Sequence, residues 1–494
     1  MPPTGKRKER VVILGSGWAG YAFARTLDPA KFDRIVISPR SYFVFTPLLA
    51  STSVGTLEFR AILEPVRRAK HVRFFQGWAD DVDFAKKTVR AEANATDDLL
   101  SKQWVSTTPG EHGSAAAQGE VFDIPYDKLV IAVGAYSQTF GIPGVKEHAH
   151  FLRDIGDARR IRLRVLSLFE QCAYPDGAGN GGGTGGPDRT RRPLTDEDKR
   201  ALLHFAIVGG GPTGIEFAAE LHDLIHEDLA KMYPALVPLV RITVYDVAPK
   251  VLPMFDAALA KYAMETFARQ GIEVKTEHHP QGVRRADGPL GSEHGGLRIK
   301  LKEYGDQEVA AGLVVWSTGL MQNPLVEKLG SREFELEHDG AARHLLKDPK
   351  GRGMVTDGYL RARTTIVGGG EEAVAKGEVL EDVFVLGDCA VVDGNETLPK
   401  TAQVASQQAA HLAKQLNRGT AESTPFKFRN WGTLTYLGGW KAIHQSSADE
   451  LKGWVAWVLW RGAYLTRSMS IRNKITVPFY WVMSWLFGRD ISRF

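Results

Sequence analysis

The stretch "RVVILGSGWAG", residues 10–20, decides the fold class. Val11–Leu14 has the composition of a buried strand, and the glycines that follow have the spacing G-x-G-x-x-G. In that motif Gly15 permits a tight turn, Gly17 leaves room for a pyrophosphate, and Gly20 lets the helix approach the strand. Free N–H groups at the start of the helix favour an anion. The stretch predicts a dinucleotide-binding unit, and a glycine-rich turn of another α/β fold is the alternative.

A second copy of the pattern lies in "HFAIVGGGPTGIEFAAEL", residues 204–221. Phe205–Val208 is the predicted strand, and the predicted helix starts near Ile215. Two such units in one chain imply two bound nucleotides, which is typical of a flavoprotein that takes electrons from a nicotinamide. The fingerprint glycines of this copy are Gly209, Gly211 and Gly214.

Composition indicates a globular protein, and the length of the chain allows two or three domains. The 494 residues are 43% hydrophobic and 24% charged, and the formal net charge is +4. So small a net charge does not indicate nucleic acid as a partner. The two cysteines, Cys172 and Cys389, lie far apart in the sequence. They form neither a C-x-x-C pair nor a zinc-binding pattern, so no metal is predicted.

The residues that end the second strand of each unit should face the ribose of the nucleotide. In the first unit "RIVIS" ends at Ser38, where an acid is usual, and a hydroxyl bonds a ribose oxygen more weakly. In the second unit the strand ends at Asp246, which would accept from both ribose hydroxyls of NADH and repel the 2′-phosphate of NADPH. NADH is therefore the predicted donor. The nearby Lys250 leaves NADPH as a possible donor. The alternative interpretation of Asp246 is a surface aspartate at the end of a strand, without a role in binding.

A further strand end carries polar residues. The apolar run in "DVFVLGDCA" leads into Gly387 and Asp388, at the sheet edge where open α/β folds bind ligands. The next helix carries Gln403 and Gln407, which lie four residues apart on one face. Such a pair is usually part of a solvated face. Its position directly after Gly387 and Asp388 makes it a candidate wall of the site.

The remaining segments give weaker predictions. The strand in "KLVIAVG" is followed by Gly134, and a helix is predicted from Asp154 to about Gln171. The aromatic stretch Pro39–Ala50 is predicted as a loop without helix, and a hydrophobic plug between domains is the alternative. The glycine-rich insertion at 175–193 is predicted to be flexible and without a catalytic part.

The order of these motifs resembles the type II, or alternative, NADH:quinone oxidoreductases, and most of all their fungal mitochondrial members. After the glycine fingerprints come "FTPLL", "LGDCA", "TAQVASQQA" and "GTLTYLGGWKAI". The T-A-Q-V-A and Y-L-G elements are specific to this family, whereas flavoproteins with two dinucleotide units share the fingerprints. The resemblance covers nearly the whole chain.

The resemblance implies electron transfer from NADH through FAD to ubiquinone, without proton pumping. It places Thr46 and Pro47 against the isoalloxazine, Glu216 near the nicotinamide, and Gln403 and Gln407 at the quinone end of the flavin. An acid that merely complements the helix dipole is the alternative for Glu216. The remaining implied contacts are, for FAD, Gly15, Gly17, Gly20, Ser38, Gly134, Gly387 and Asp388, and, for NADH, Gly209, Gly211, Gly214 and Asp246.

The expected architecture is two Rossmann-like domains and a C-terminal membrane-association region. The first domain is discontinuous, at 8–192 and 330–424; the NADH-binding domain is 193–329, and the C-terminal region is 425–494. A homodimer at the mitochondrial inner membrane is expected from the resemblance. The first ten residues are not a secretory signal and are too short for a clear mitochondrial presequence.

The tail, residues 453–494, is aromatic and basic. It holds five of the 11 tryptophans, and six basic residues against one acid give it a charge of +5. Its longest charge-free run, 475–488, has 14 residues, whereas a spanning helix needs roughly 18. We therefore predict a pair of amphipathic helices in the membrane interface. Burial against the core or in a dimer interface is the alternative.

Two other function classes share this scaffold. A disulfide or sulfide oxidoreductase needs a redox-active cysteine pair, and Cys389 has no partner nearby in the sequence. A signalling flavoprotein of the apoptosis-inducing-factor type binds NADH in a long-lived reduced complex. Rapid reoxidation by quinone would distinguish an oxidoreductase from this second class.

Overall fold

The computed structural model describes residues 7–94, 119–174, 193–336, 340–368, 378–420, 423–446, 449–467 and 470–493. Of the glycine-rich insertion predicted at 175–193, residues 175–192 lie outside these residues. The chain divides into two compact units. The first comprises 1–44, 64–136 and 320–430, and the second comprises 45–63, 137–319 and 431–494.

The first unit is built on a sheet whose centre is parallel. Glu9–Leu14 pairs in parallel with Phe32–Ser38 on one side and Lys128–Ile131 on the other. Val11–Leu14 is fully buried, as an apolar run in a sheet covered on both faces requires. In order across the sheet the strands are Phe334–Glu335, Ala342–Leu345, Arg361–Ile366, Val379–Val385, Lys128–Ile131, Glu9–Leu14, Phe32–Ser38, Val72–Asp83, Thr88–Ala93 and Val121–Pro125.

The second unit repeats the arrangement with a parallel sheet of its own. His204–Val208 lies between Arg241–Tyr245 and Leu313–Trp316 in register. Across the sheet the order is His150–Phe151, Leu313–Trp316, His204–Val208, Arg241–Tyr245 and Ile272–Lys275. A separate antiparallel sheet consists of Pro280–Arg285, Leu297–Leu301 and Glu308–Ala311.

Helices cover these sheets. In the first unit they are the first glycine helix (Trp18–Thr26), Pro324–Ser331 and the glutamine helix (Ala402–Arg418). In the second unit they are Leu49–Ser53, Val145–His148, Ile155–Ala173, Asp196–Leu202, the second glycine helix (Pro212–Asp223), its π-helical continuation Leu224–Leu229, Ala230–Met232, Ala257–Arg269 and Gly288–Ser292. The shorter strands are Tyr42–Val44, Leu63–Pro65, Ala135–Ser137, Leu320–Gln322, Met354–Thr356 and Ala390–Val392.

The C-terminal part of the second unit begins with an antiparallel sheet of Thr433–Gly438, Lys441–Gln445 and Glu450–Gly453. Two helices follow, the tryptophan helix (Trp454–Arg467) and the C-terminal helix (Ile471–Phe487). The predicted helix pair is therefore present. Trp460 and Trp481 are buried, whereas Trp454 and Trp485 are about two-thirds exposed. Among the described residues, none of the helices combines the length and the hydropathy needed to span a bilayer.

Two predictions differ from the structure. Pro39–Ala50 is not a plain loop, because Tyr42–Val44 is a strand, Thr46–Leu48 is a 3₁₀ turn and a helix starts at Leu49. The buried side chains of Leu48, Leu49 and Ala50 stabilise these turns. The predicted domain boundary at 192/193 also differs from the boundaries of the two compact units. His150–Phe151 already pairs with Leu313–Trp316, so the chain joins the second sheet well before residue 193.

Candidate functional site

The first glycine fingerprint has the geometry that pyrophosphate binding needs. Gly15 has φ +105°, and a Cβ there would collide with the carbonyl oxygen of Ala132. A Cβ on Gly20 would collide with the carbonyl oxygen of Gly15, so this glycine is required by the packing of the helix. Gly17 is the N-cap of the first glycine helix, with no side-chain cap, and the space beside it is open. The N-terminus of the helix therefore faces room for an anion.

The second fingerprint reproduces this geometry. Gly209 N donates to Tyr245 O at 2.8 Å, as Gly15 N does to Ile37 O at 2.8 Å. A Cβ on Gly214 would collide with the carbonyl oxygen of Gly209. Gly211 caps the second glycine helix without a side-chain bond, and the space where its Cβ would lie is open. The two turns offer equivalent cradles in two separate sheets.

Asp246 lies where the sequence predicts, directly after the strand Arg241–Tyr245. Its Oδ2 accepts from Gly210 N of the glycine turn, and its Oδ1 accepts from Ala248 N at 2.7 Å. These two bonds fix the carboxylate beside the fingerprint. Since a carboxylate has about four acceptor positions, it keeps capacity for ribose hydroxyls.

Ser38, by contrast, is buried and already bonded. Its Oγ lies 2.9 Å from Ser16 Oγ and accepts from Arg40 N at 3.3 Å. Ser16 Oγ also lies 3.1 Å from the carbonyl oxygen of Arg40. In this structure Ser38 holds the turn after its strand. Its contact with a ribose stays a prediction of the resemblance.

The 3₁₀ turn Gly387–Cys389 follows the strand Val379–Val385 and opens a cleft in the first unit. Gly387 has φ +77°, and its N–H donates to Gln408 Oε1 at 2.7 Å. Asp388, Lys400 and Gln408 line the cleft. Lys400 Nζ donates to the carbonyl oxygen of Ala390, and burial lowers the pKa of this lysine.

Gln408 is a residue that the sequence analysis missed. It is 1% exposed and holds the glycine of the predicted site. Gln407, which was predicted, instead bonds the backbone of Arg429, with Nε2 donating to O at 2.8 Å and Oε1 accepting from N at 3.0 Å. Gln403 lies one turn earlier, half-buried. The sequence signal for Gln408 was only its adjacency to Gln407.

Glu216 lies in the second turn of the second glycine helix, among residues of the C-terminal part. Its Oε1 accepts from Tyr436 N at 3.2 Å and from Trp460 Nε1 at 3.4 Å. Burial raises the pKa of Glu216, the two hydrogen bonds oppose this effect and the charge of Glu220 adds to it, and the resulting pKa is about 8. The group therefore holds a proton at neutral pH. A neutral acid beyond the first turn does not complement the helix dipole.

Thr46 and Pro47 belong to the 3₁₀ turn Thr46–Leu48 of the second unit. The preceding Phe45 is buried, and its ring lies 6.1 Å from that of Tyr464, edge to face. Tyr464 in turn packs on Trp460 with centroids 5.0 Å apart. An aromatic chain thus leads from this turn to the indole that bonds Glu216.

Gly134 lies between the strands Lys128–Ile131 and Ala135–Ser137 with φ +70° and open space beside its Cα. Its position after a strand of the first sheet is the one that the sequence predicts. Neither cysteine is poised for redox chemistry. Both are buried, and burial raises the pKa of Cys172 to about 12 and that of Cys389 to about 11. Within the described part of the chain, no group of three or more His, Cys, Asp or Glu side chains is arranged to hold a metal ion.

Comparisons with known proteins agree with this geometry. Residues 9–409 match the pyridine nucleotide-disulphide oxidoreductase family, and residues 431–490 match the NDH2 C-terminal domain. A Dictyostelium discoideum protein named "Probable NADH dehydrogenase" is 37% identical over 98% of this chain and 91% of its own length. A potato (Solanum tuberosum) protein, named as the external alternative NAD(P)H-ubiquinone oxidoreductase B1 of mitochondria, is 33% identical over 99% of this chain and 91% of its own length.

Among solved structures, NDH2 from Plasmodium falciparum in complex with NADH has the same fold. Its TM-score is 0.77 at 23% identity, and the match covers 98% of this chain and 100% of that one. The family matches, the relatives and the paired glycine turns all lead to one assignment. The chain belongs to the pyridine nucleotide-disulphide oxidoreductases and, among them, to the type II NADH dehydrogenases that carry an NDH2 C-terminal domain.

Proposed function

We propose that this protein is an FAD-dependent oxidoreductase that passes electrons from NADH to ubiquinone without pumping protons. The observation that carries this proposal is the pair of equivalent glycine turns, each with an open helix N-terminus beside its own parallel sheet. One turn suits each of two dinucleotides. Relatives that match over nearly the whole chain are named as NAD(P)H-ubiquinone oxidoreductases, which supports the acceptor.

The first unit fits FAD. Space is open beside Gly17 and Gly134, where a Cβ would point, while the collisions at Gly15 and Gly20 keep the turn tight. When bound, FAD supplies the two-electron chemistry that connects a nicotinamide donor with a quinone acceptor. The residues that would hold it are Gly15, Gly17, Gly20, Gly134, Gly387 and Asp388. The roles of Ser38, Thr46 and Pro47 at the cofactor are proposed on the resemblance alone.

The chain's own residues bind, orient and hold protons. In the proposal Gly209, Gly211 and Gly214 cradle the NADH pyrophosphate, and Asp246 accepts from its ribose. Glu216 stays protonated in its apolar surroundings, so it presents a neutral acid on the nicotinamide side. Gln403 and Gln407 line the quinone side. Gln407 keeps one N–H and one lone pair beyond its bonds to Arg429 for this purpose.

The test is NADH oxidation by the purified, FAD-loaded protein with and without a short-chain ubiquinone, while the flavin spectrum is recorded. We expect reduction by NADH and rapid reoxidation that depends on quinone. A reduced complex that persists for many minutes with quinone present would contradict the proposal and favour the signalling class of flavoprotein.

We further propose that the protein attaches to the surface of the mitochondrial inner membrane through residues 453–494. The C-terminal helix buries Asn473, Val477 and Trp481 and exposes an apolar stripe on its other face. Each exposed anchor removes on the order of 100 Å² from water when it enters lipid, worth about 2–3 kcal/mol. The stripe consists of Ile471, Ile475, Phe479, Val482 and Leu486, at helical spacing.

Substitution of this stripe tests the attachment. Ile475→Ser, Phe479→Ser and Leu486→Ser together should abolish co-flotation with vesicles of phosphatidylcholine and cardiolipin. Val247→Ser, at another exposed apolar residue of the same unit, is the matched control. Undiminished flotation of the triple variant would contradict the proposal. The homodimer is proposed on the resemblance alone, and light scattering of the detergent-solubilised protein measures it.

A further inference from the structure

Three residues after the C-terminal helix, Gly488, Arg489 and Asp490, lie among charged side chains of the second unit. Arg489 Nη1 is 2.7 Å from Asp228 Oδ2 and 2.7 Å from Glu227 Oε2. Its backbone N–H also donates to Asp228 Oδ1 at 3.2 Å. The arginine side chain is only 9% exposed, so its charge is held by these carboxylates and not by water.

The next residue makes the opposite pair. Asp490 Oδ2 lies 2.6 Å from Arg162 Nη2, and the same nitrogen donates to the carbonyl oxygen of Asp490. Arg162 comes from the helix Ile155–Ala173, is 3% exposed and lies over the ring of Phe59 at 5.4 Å. Two adjacent residues of opposite charge thus meet groups of complementary charge, of which Asp228 and Arg162 are shielded from water and Glu227 is 47% exposed.

Thr56 connects this segment to the second glycine helix. Arg489 Nε donates to Thr56 Oγ1 at 2.9 Å, and Thr56 Oγ1 donates to Glu220 Oε2 at 2.9 Å. Ser484 Oγ, in the last turn of the C-terminal helix, donates to Thr56 O at 2.8 Å. The helix that begins at the NADH fingerprint and the C-terminal helix are therefore bonded to the same threonine.

Two glycines let the segment lie this close. Gly488 has φ +84°, and a Cβ there would come 2.7 Å from Asp228 Oδ1. Gly55 has φ +81°, and a Cβ there would collide with the carbonyl oxygen of Asp490. Asp228 itself stands in the π-helical turn Leu224–Leu229, whose extra residue per turn changes the direction of its side chains.

We propose that residues 488–490 form a charge-coded latch that fixes the register of the C-terminal helix on the second unit. A shift by one residue would place Arg489 against Arg162, or Asp490 against Asp228. Like charges at sites shielded from water are strongly unfavourable, and so is a buried charge without its partner. The latch therefore selects one docking of the helix, with Trp481 inward and the stripe of Ile475 and Phe479 outward.

The competing explanation is that apolar packing alone holds the helix. Trp460, Trp481 and Val477 are buried, and this packing does not depend on the charge of residues 489 and 490. Apolar contacts, however, tolerate sliding, because they are non-directional. The two explanations differ in what happens when a latch charge is neutralised while the tryptophans stay in place.

The test is hydrogen–deuterium exchange of the full-length, FAD-loaded protein in detergent. Arg489→Met should speed exchange within 471–487 by on the order of tenfold or more, because the helix opens without global unfolding. Arg493→Met is the matched control, since it removes the same charge from an exposed residue four positions later and should change exchange less than twofold. Equal exchange in the two variants would overturn the latch.

A charge exchange keeps the test decisive if Arg489→Met fails to fold. Asp490→Arg alone should speed exchange in 471–487, and adding Arg162→Asp should restore slower exchange because the pair is re-formed with reversed sense. If the double variant binds FAD and exchanges as fast as Asp490→Arg, charge pairing does not set the register. The measurement follows the helix itself, so its outcome is separate from whether the protein reduces quinone.

Discussion

Replacing Glu216 by glutamine should stabilise the protein at alkaline pH and leave its stability nearly unchanged at pH 4. The pKa of this buried acid is raised from 4.5 to about 8. A raised pKa means that the folded state favours the protonated acid. The contribution of Glu216 to the free energy of unfolding is therefore fully present below pH 4.5 and is lost as the pH rises towards 8. A shift of about 3.5 units corresponds to about 5 kcal/mol at most. Glutamine is neutral throughout, and its carbonyl oxygen can still accept from Tyr436 N and Trp460 Nε1.

The assay is the melting temperature of the wild type and of Glu216→Gln at several pH values between 4 and 9. The difference between them should be near zero at pH 4 and grow as the pH rises to about 8, at about 2–4 °C for each kcal/mol. Glu265→Gln makes the same chemical change at an exposed residue of the second unit and serves as the control. A difference that does not vary with pH would refute the assignment of a neutral buried acid.

Three further changes test the nucleotide, quinone and cofactor sites. The wild type should prefer NADH to NADPH by about 10–100-fold in kcat/KM, because one charged hydrogen bond is worth about 1.5–3 kcal/mol; Asp246→Asn should reduce this preference, and equal values for the wild type would contradict it. Gln403→Ala or Gln407→Ala should slow reoxidation by quinone more than reduction by NADH in stopped flow, and slowing of the NADH step alone would contradict the quinone role. Gln408→Leu should lower the FAD content of the purified protein, measured from its visible absorbance, because an unpaired Gly387 N–H costs about 1–3 kcal/mol; full FAD content would show that this bond is dispensable.

Local sequence patterns predicted individual helices, strands and glycine turns correctly. The helix expected from Asp154 to about Gln171 is Ile155–Ala173, with Asp154 as its N-cap in a capping box. Both strands before the fingerprints and both glycine turns lie where the spacing placed them. These elements depend on apolar runs, caps and glycine geometry, each encoded within a few residues.

The side-chain contacts of the site could not be predicted in this way. Glu216 bonds Tyr436 and Trp460, which lie 220 and 244 positions away in the chain. No local pattern reports such pairings. Whether Gln407 or Gln408 contacts Gly387 likewise depends on which side of the glutamine helix faces that glycine. The amphipathic pattern gives the buried side of a helix only approximately, so it cannot distinguish two adjacent residues.

The C-terminal part is integral to the second unit, because three acids of the second glycine helix depend on it. Glu216, Glu220 and Asp223 lie at helical spacing on one side and are all buried. Tyr436 N and Trp460 Nε1 donate hydrogen bonds to Glu216. The charge of Arg489 opposes the raised pKa of Glu220. Tyr436 Oη donates to Asp223 at 2.6 Å. A chain cut after Lys452 would lose both the Trp460 indole and Arg489, so buried Glu216 would keep only Tyr436 N of its two donors and buried Glu220 would lose the charge that opposes its raised pKa. Loss of membrane binding in such a fragment would therefore report unfolding as much as a missing anchor, and only substitutions confined to the exposed stripe separate the two.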